Sequence, residues 1–126
     1  MRGCVRTLVV DDSPEMLEAI TGFLKLHPSF AVIGAASSGE EAIRLARESE
    51  PDLVLMDTSM PGMSGLAATR ALAALPHRPR IILCSLEVAN GLLHAAQAAG
   101  CDGFCVKDRI TTDLMPLLHG LFPHAR

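Results

Sequence analysis

Short apolar runs alternate with amphipathic ones along the whole chain. The apolar runs are Val5 to Val10, Phe30 to Ala36, Leu53 to Met56, Ile81 to Cys84 and Phe104 to Val106. Each is short, aliphatic and rich in β-branched residues, which predicts buried strands. The third, Leu-Val-Leu-Met, has no polar alternation at all. Strands covered on both faces read this way, and they belong to parallel sheets.

The intervening stretches predict helices. Ser13-Pro14 supplies a cap and a first-turn proline, and Met16, Ile20, Phe23 and Leu24 follow on one face. His27-Pro28 ends that helix. Ser38-Gly-Glu-Glu opens a second, with Ala42, Ile43 and Ala46 inward and Arg44, Arg47 and Glu48 in water. Ser64 caps a third, with Leu66, Thr69 and Ala73 inward. A fourth is expected from about Val88 to Ala99, with Asn90, His94 and Gln97 as its polar stripe. A fifth is expected to start near Thr111-Thr112-Asp113, with Thr112 as its cap. On that reading Pro116 falls early in the helix, where it delays or kinks it. The fourth and fifth helices are unusually apolar, which points to a partner or dimer surface.

Five βα units in one chain predict an α/β fold, a three-layer sandwich around a five-stranded parallel sheet with right-handed crossovers. At 126 residues this is one domain, residues 1–126, with no linker or repeat. Aromatics are 3% of the chain, all phenylalanine, so the core is aliphatic. A net charge of −3 offers no basic footprint for nucleic acid and no pull toward an anionic membrane. No apolar run reaches the roughly 18 residues a membrane span needs. The N-terminal apolar stretch is too short for a signal peptide, so a cytoplasmic location is expected. Cys4, Cys84, Cys101 and Cys105 then read as free thiols, since no ligand pair completes a zinc set around Cys101 and Cys105. The five histidines share no spacing and receive no role.

The candidate chemistry sits where apolar runs end. Asp11 and Asp12 end the first, Asp57 the third, Ser85 the fourth and Lys107 the fifth. Open α/β sheets bind ligands at the carboxyl ends of their strands. Singly, each residue has an ordinary reading: a helix cap, a turn residue, a satisfied hydroxyl, a surface pair. All five at one sheet edge suggest a site. Three converging carboxylates repel one another. Lys107 offsets part of that, and a hard divalent cation held by oxygens would offset the rest. A carboxylate beside Mg2+, a lysine and a hydroxyl is a credible phosphoryl acceptor.

The phrases LVVDDSPEM, LVLMDTSMPGMSG, LCSLE and GFCVKD together resemble the receiver domain of two-component response regulators, over essentially the whole chain. The resemblance implies a doubly wound, flavodoxin-like (βα)5 fold with strand order 2-1-3-4-5. It implies that Asp57 accepts a phosphoryl group from a sensor histidine kinase or a histidine phosphotransfer protein. It assigns Mg2+, or Mn2+ in its place, to Asp12, Asp57 and the backbone carbonyl of Ser59, with Asp11 acting through water. Ser85 matches the switch hydroxyl, Lys107 the lysine that pairs with the phosphoryl group, and Phe104 the switch aromatic. The resemblance further implies a downstream partner or a homodimer through the face of helix 4, strand 5 and helix 5. MPGMSGLAATR is similar to receivers of LuxR/NarL-type DNA-binding regulators. The chain then reads as a stand-alone receiver or as the front of a longer protein, itself without nucleic-acid contact.

Leu86 departs from the family pattern, which has Ala or Gly beside the switch hydroxyl, and is expected to narrow access to the site. Two other functions draw on related residues. A small Mg-dependent aspartate-nucleophile phosphatase of the haloacid-dehalogenase type needs Asp-x-Asp after the first strand, and here the residues are Asp11-Asp12-Ser13. A receiver that serves as an unphosphorylated scaffold would not need the intact acid, lysine and hydroxyl set. The favoured expectation is a binding module that catalyses only its own phosphorylation and dephosphorylation.

Overall fold

The computed structural model describes residues 4–89 and 91–125. Asn90, placed in the polar stripe of the fourth helix, lies outside them. The strands are β1 (Val5–Val10), β2 (Phe30–Ala36), β3 (Leu53–Asp57), β4 (Arg80–Ser85) and β5 (Gly103–Val106). The helices are α1 (Pro14–Leu24), α2 (Gly39–Ser49), α3 (Gly65–Ala73), α4 (Leu92–Ala99) and α5 (Ile110–Leu121). The strands form one sheet of order β2-β1-β3-β4-β5, parallel throughout.

Strand alternation sorts the core into two layers. Val5, Val9, Leu53, Leu55, Ile82, Cys84 and Cys105 face α1 and α5, where they meet Ile20, Leu24, Leu114 and Leu118. Leu8, Val10, Val54, Met56, Ile81 and Leu83 face α2, α3 and α4, where they meet Ala42, Ala46, Ala68, Leu72 and Ala96. β3 lies centrally, and all five of its residues are buried, as its unbroken apolar run requires.

Serine caps set the starts of the first three helices. Ser13 Oγ accepts the Met16 N–H at 3.2 Å, Ser38 Oγ the Glu41 N–H at 3.1 Å, and Ser64 Oγ the Ala67 N–H at 3.1 Å. The fourth helix differs from the expected span and begins at Leu92, not Val88. Val88 has no capping side chain before it. The chain instead turns through Gly91, whose φ of 80° is left-handed, and the helix starts after that residue. The fifth begins earlier than expected. A single 3-10 turn over Lys107–Arg109 leads directly into Ile110, and Thr112 lies inside the helix, not at its cap. Arg109 Nε donates to Asp113 Oδ2 at 2.9 Å across that first turn, and Ile110 is buried. Pro116 therefore sits in the helix interior, on an exposed face where water can serve the unpaired carbonyl. The apolar end of α5 packs inward through Leu118 and Phe122, whereas Val88 and Leu93 remain exposed near α4.

Candidate functional site

Register builds the site. Val10 of β1 pairs with Met56 of β3, so the next residues, Asp11 and Asp57, leave the sheet at one level. Asp57 pairs with Cys84, and Ser85 pairs with Val106, so Ser85 arrives one step and Lys107 two steps further along the same edge. The alternation that sends Val9, Leu55 and Cys105 toward α1 and α5 carries Asp11, Asp57 and Lys107 to that side. Ser85 has the opposite parity.

The side chains follow this placement. Lys107 Nζ lies 2.7 Å from Asp11 Oδ2 and 2.9 Å from Asp57 Oδ1, with its side chain only 7% exposed. One ammonium thus bridges two buried carboxylates. Asp57 Oδ1 also accepts the Ser59 N–H at 3.2 Å, while Asp11 Oδ1 accepts the Ser13 N–H at 2.9 Å. Asp12 is exposed, and one carboxylate oxygen from each of Asp11, Asp12 and Asp57 lies within 4.8 Å of the others. Among the described residues this is the only such cluster of metal-capable side chains. Ser85 Oγ donates to the Glu87 carbonyl at 2.7 Å, as its opposite parity leads one to expect.

Electrostatics match the geometry. Burial pushes the Asp57 carboxyl above the usual carboxylate range, against the opposing pull of Lys107 and the Ser59 N–H. Burial by itself lowers Lys107, but its bonds to Asp11 and Asp57 outweigh that and hold the ammonium above its ordinary value. The buried thiols of Cys84 and Cys105 are both pushed up, Cys105 to about 11, so they stay protonated and unreactive. All four cysteines are free.

The oxygen-only donor set suits a hard divalent cation. So do the three carboxylates gathered within 4.8 Å, a concentration of negative charge that the single Lys107 ammonium only partly offsets. Asp11, Asp12, Asp57, Ser59, Ser85, Leu86 and Lys107 line one cavity of about 480 Å3, with Met16, Ala89 and Leu92 on its wall. Phe104 stands apart from that cavity. It is half-buried and lines a groove with Leu93, Ala96 and Cys101 on the α4 side.

Two contributors escaped the sequence reading. Gly65 packs against the end of β3: a Cβ there would collide with the Asp57 carbonyl oxygen and lie 2.8 Å from Thr58 Cα. Its signal was the glycine directly after the Ser64 cap. The other is the Glu87 carbonyl, for which the sequence carries no signal, since any residue supplies one.

A family model for the response regulator receiver domain matches residues 7–119. The chain belongs to that family and is a receiver domain of the LuxR/NarL-like response regulators. It is 35% identical over 112 residues to the nitrate/nitrite response regulator protein NarL of Escherichia coli strain K12, a match covering 89% of this chain and 52% of that protein. It is 34% identical over 103 residues to the transcriptional regulatory protein LiaR of Bacillus subtilis strain 168, covering 82% of this chain and 49% of that one. A solved two-component response regulator of the LuxR family from Aurantimonas sp. SI85-9A1 superposes with a TM-score of 0.89 at 29% identity. That superposition covers 98% of this chain and 88% of the other. The chain spans about half the length of the curated relatives it matches. Among the described residues no helix is long and apolar enough to cross a membrane.

Proposed function

We propose that the chain is a phosphoacceptor in two-component signalling, with Asp57 as the nucleophile. The observation that carries this reading is Lys107, held between Asp11 and Asp57 in a cavity that Ser85 also lines. Lys107 and the Ser59 N–H both engage Asp57 Oδ1, which leaves Oδ2 as the oxygen to attack phosphorus. In the transfer an O–P bond forms at Asp57 and the P–N bond of a donor phosphohistidine breaks, releasing the imidazole. The donor is a sensor histidine kinase or a histidine phosphotransfer protein.

Asp12, Asp57 and the Ser59 carbonyl, with Asp11 through water, would hold Mg2+ or Mn2+, which would supply positive charge to the phosphoryl oxygens. Lys107 neutralises a further oxygen of the transferring group. Ser85 gives up the Glu87 carbonyl and turns its hydroxyl to the phosphoryl group, and Phe104 follows as the switch aromatic. That rearrangement biases the surface of α4, β5 and α5 toward a downstream protein or a second copy. Hydrolysis reverses the state: water attacks phosphorus, and Asp57 leaves as carboxylate.

On this reading the chain turns over no external substrate, acts in the cytoplasm and touches no nucleic acid itself. It works as the receiver part of a transcriptional regulator or alone. Incubation with acetyl phosphate and Mg2+ is expected to add one acid-stable, base-labile phosphoryl group, detected by intact mass. Asp57→Asn should abolish it. Equal labelling of that variant would remove Asp57 from the role.

A further inference from the structure

We propose that the cleft between the end of α2 and the loop after α3 binds a small zwitterion, of the class of α-amino acids with an aliphatic side chain. The cleft shares no lining residue with the acidic cavity, and the proposal does not depend on the acceptor reading of Asp57.

The cleft holds about 310 Å3, within the range of small-ligand sites. Ala46 of α2 and Leu75 and Pro76 of the loop supply its apolar surface, and Arg47, Glu50 and His77 its polar groups. Elsewhere on α2 a charge finds its partner: Arg44 lies 3.9 Å from Glu41 and 3.4 Å from Glu48. Arg47 and Glu50 stand one turn apart, yet neither forms an ion pair with the other or with any other described residue.

The backbone supplies the reason. Glu50 has a φ of 48° and is the only non-glycine with a left-handed φ among the described residues. That conformation takes it off the helical row on which a partner for Arg47 would lie. Glycine is the usual residue at such a helix end, and a side chain there strains the backbone. The strained position is nevertheless well held. The Glu50 N–H donates to the Ala46 carbonyl at 2.9 Å, and the Glu50 carbonyl accepts from Arg6 Nη1 at 2.8 Å. Its backbone is thus satisfied on both sides, and its carboxylate is left without a partner at the cleft.

An unpaired arginine and an unpaired glutamate beside one apolar surface select a ligand with both charges on a short frame. The planar guanidinium of Arg47 suits a carboxylate, and the Glu50 carboxylate suits an ammonium group. The surface of Ala46, Leu75 and Pro76 takes an aliphatic side chain. A plain anion would meet Glu50 and a plain cation would meet Arg47, so each is disfavoured by the group that the zwitterion satisfies.

The test is an NMR shift titration of the full chain with L-leucine, L-valine and L-isoleucine. Two analogues of leucine, each with one charge removed, serve as comparisons: 4-methylpentanoate and 3-methylbutylamine. At least one amino acid is expected to give saturable shifts confined to residues 46–50 and 75–77. Each one-charge analogue should bind about tenfold more weakly or worse, as loss of a charge-assisted hydrogen bond requires. Arg47→Gln should weaken amino-acid binding by a similar factor. Glu50→Gly should weaken it too, while raising the melting temperature, because glycine adopts the left-handed conformation without strain. Loss of binding in that variant is therefore not a loss of fold. Absence of saturable binding by all three amino acids overturns the proposal. So does equal affinity for leucine and its two analogues, or unchanged amino-acid affinity in both variants.

Discussion

Replacing Lys107 with methionine keeps most of the side-chain stem and removes the charge that lies 2.7 and 2.9 Å from two carboxylates. The cost has a ceiling. A carboxylate deprived of its cation need not remain charged, because it can take up a proton instead. At pH 7 that costs at most 1.36 kcal/mol for each unit above the ordinary value of 3.8, or about 4 kcal/mol. One proton then replaces the one lost positive charge. The ceiling agrees with the 3–5 kcal/mol typical of breaking a buried pair on one side. At pH 5 it drops to about 1.6 kcal/mol on the same arithmetic.

The sign follows from the shifts in the wild-type protein. Lys107 is held above its usual value, so its contribution to stability is present below the unfolded lysine range and lost as pH rises through the folded one. Asp57 is raised, so the folded state binds the extra proton, and its contribution weakens as pH climbs from 3.8 through the raised value. Lys107→Met should therefore be most damaging at neutral pH and much less so at pH 5. Mg2+ should recover part of the loss, by about 1.4 kcal/mol at ten times its Kd. Urea unfolding at the two pH values, with and without Mg2+, measures all three terms. A penalty of equal size at pH 5 and pH 7, untouched by Mg2+, would mean that Lys107 acts by packing and not by charge.

Asp12→Ala should leave the metal-free melting temperature nearly unchanged, since the residue is exposed, while removing most of the stabilisation by Mg2+; a thermal shift titration decides, and an intact Mg2+ effect would place the metal elsewhere. Gly65→Ala should cost about 3 kcal/mol or more, because its Cβ meets backbone and not a flexible side chain. The same variant should slow labelling of Asp57 even at temperatures where it is folded; an unaltered rate and melting point would show that α3 simply slides away.

Much of this molecule is legible in one dimension. Leu53–Met56 announces a strand covered on both faces, and Ser13, Ser38 and Ser64 mark helix starts because a hydroxyl acts within three residues of itself. The five polar residues at strand ends could be singled out because strand ends are local features. Their convergence could not be read from periodicity. It depends on β1 and β3 being neighbours, a long-range choice that only the strand-order resemblance anticipated and the sheet then displayed.

What local pattern left open was decided by tertiary contact. Apolar spacing between Val88 and Ala99 cannot say where α4 begins, since helical periodicity continues through a segment that lacks a cap. The turn from Ser85 to Glu87 and the left-handed Gly91 set the start at Leu92. In the same way, the 3-10 turn that follows Lys107 moves the start of α5 forward and puts Pro116 in the helix interior. Gly65 looks like any residue after a cap until the Asp57 carbonyl is found where its Cβ would be. Residue types and their spacing thus named the carboxylates, the hydroxyl and the lysine. The register of a parallel sheet, which joins residues far apart in sequence, brought Lys107 into contact with Asp11 and Asp57 and turned Ser85 to its own loop.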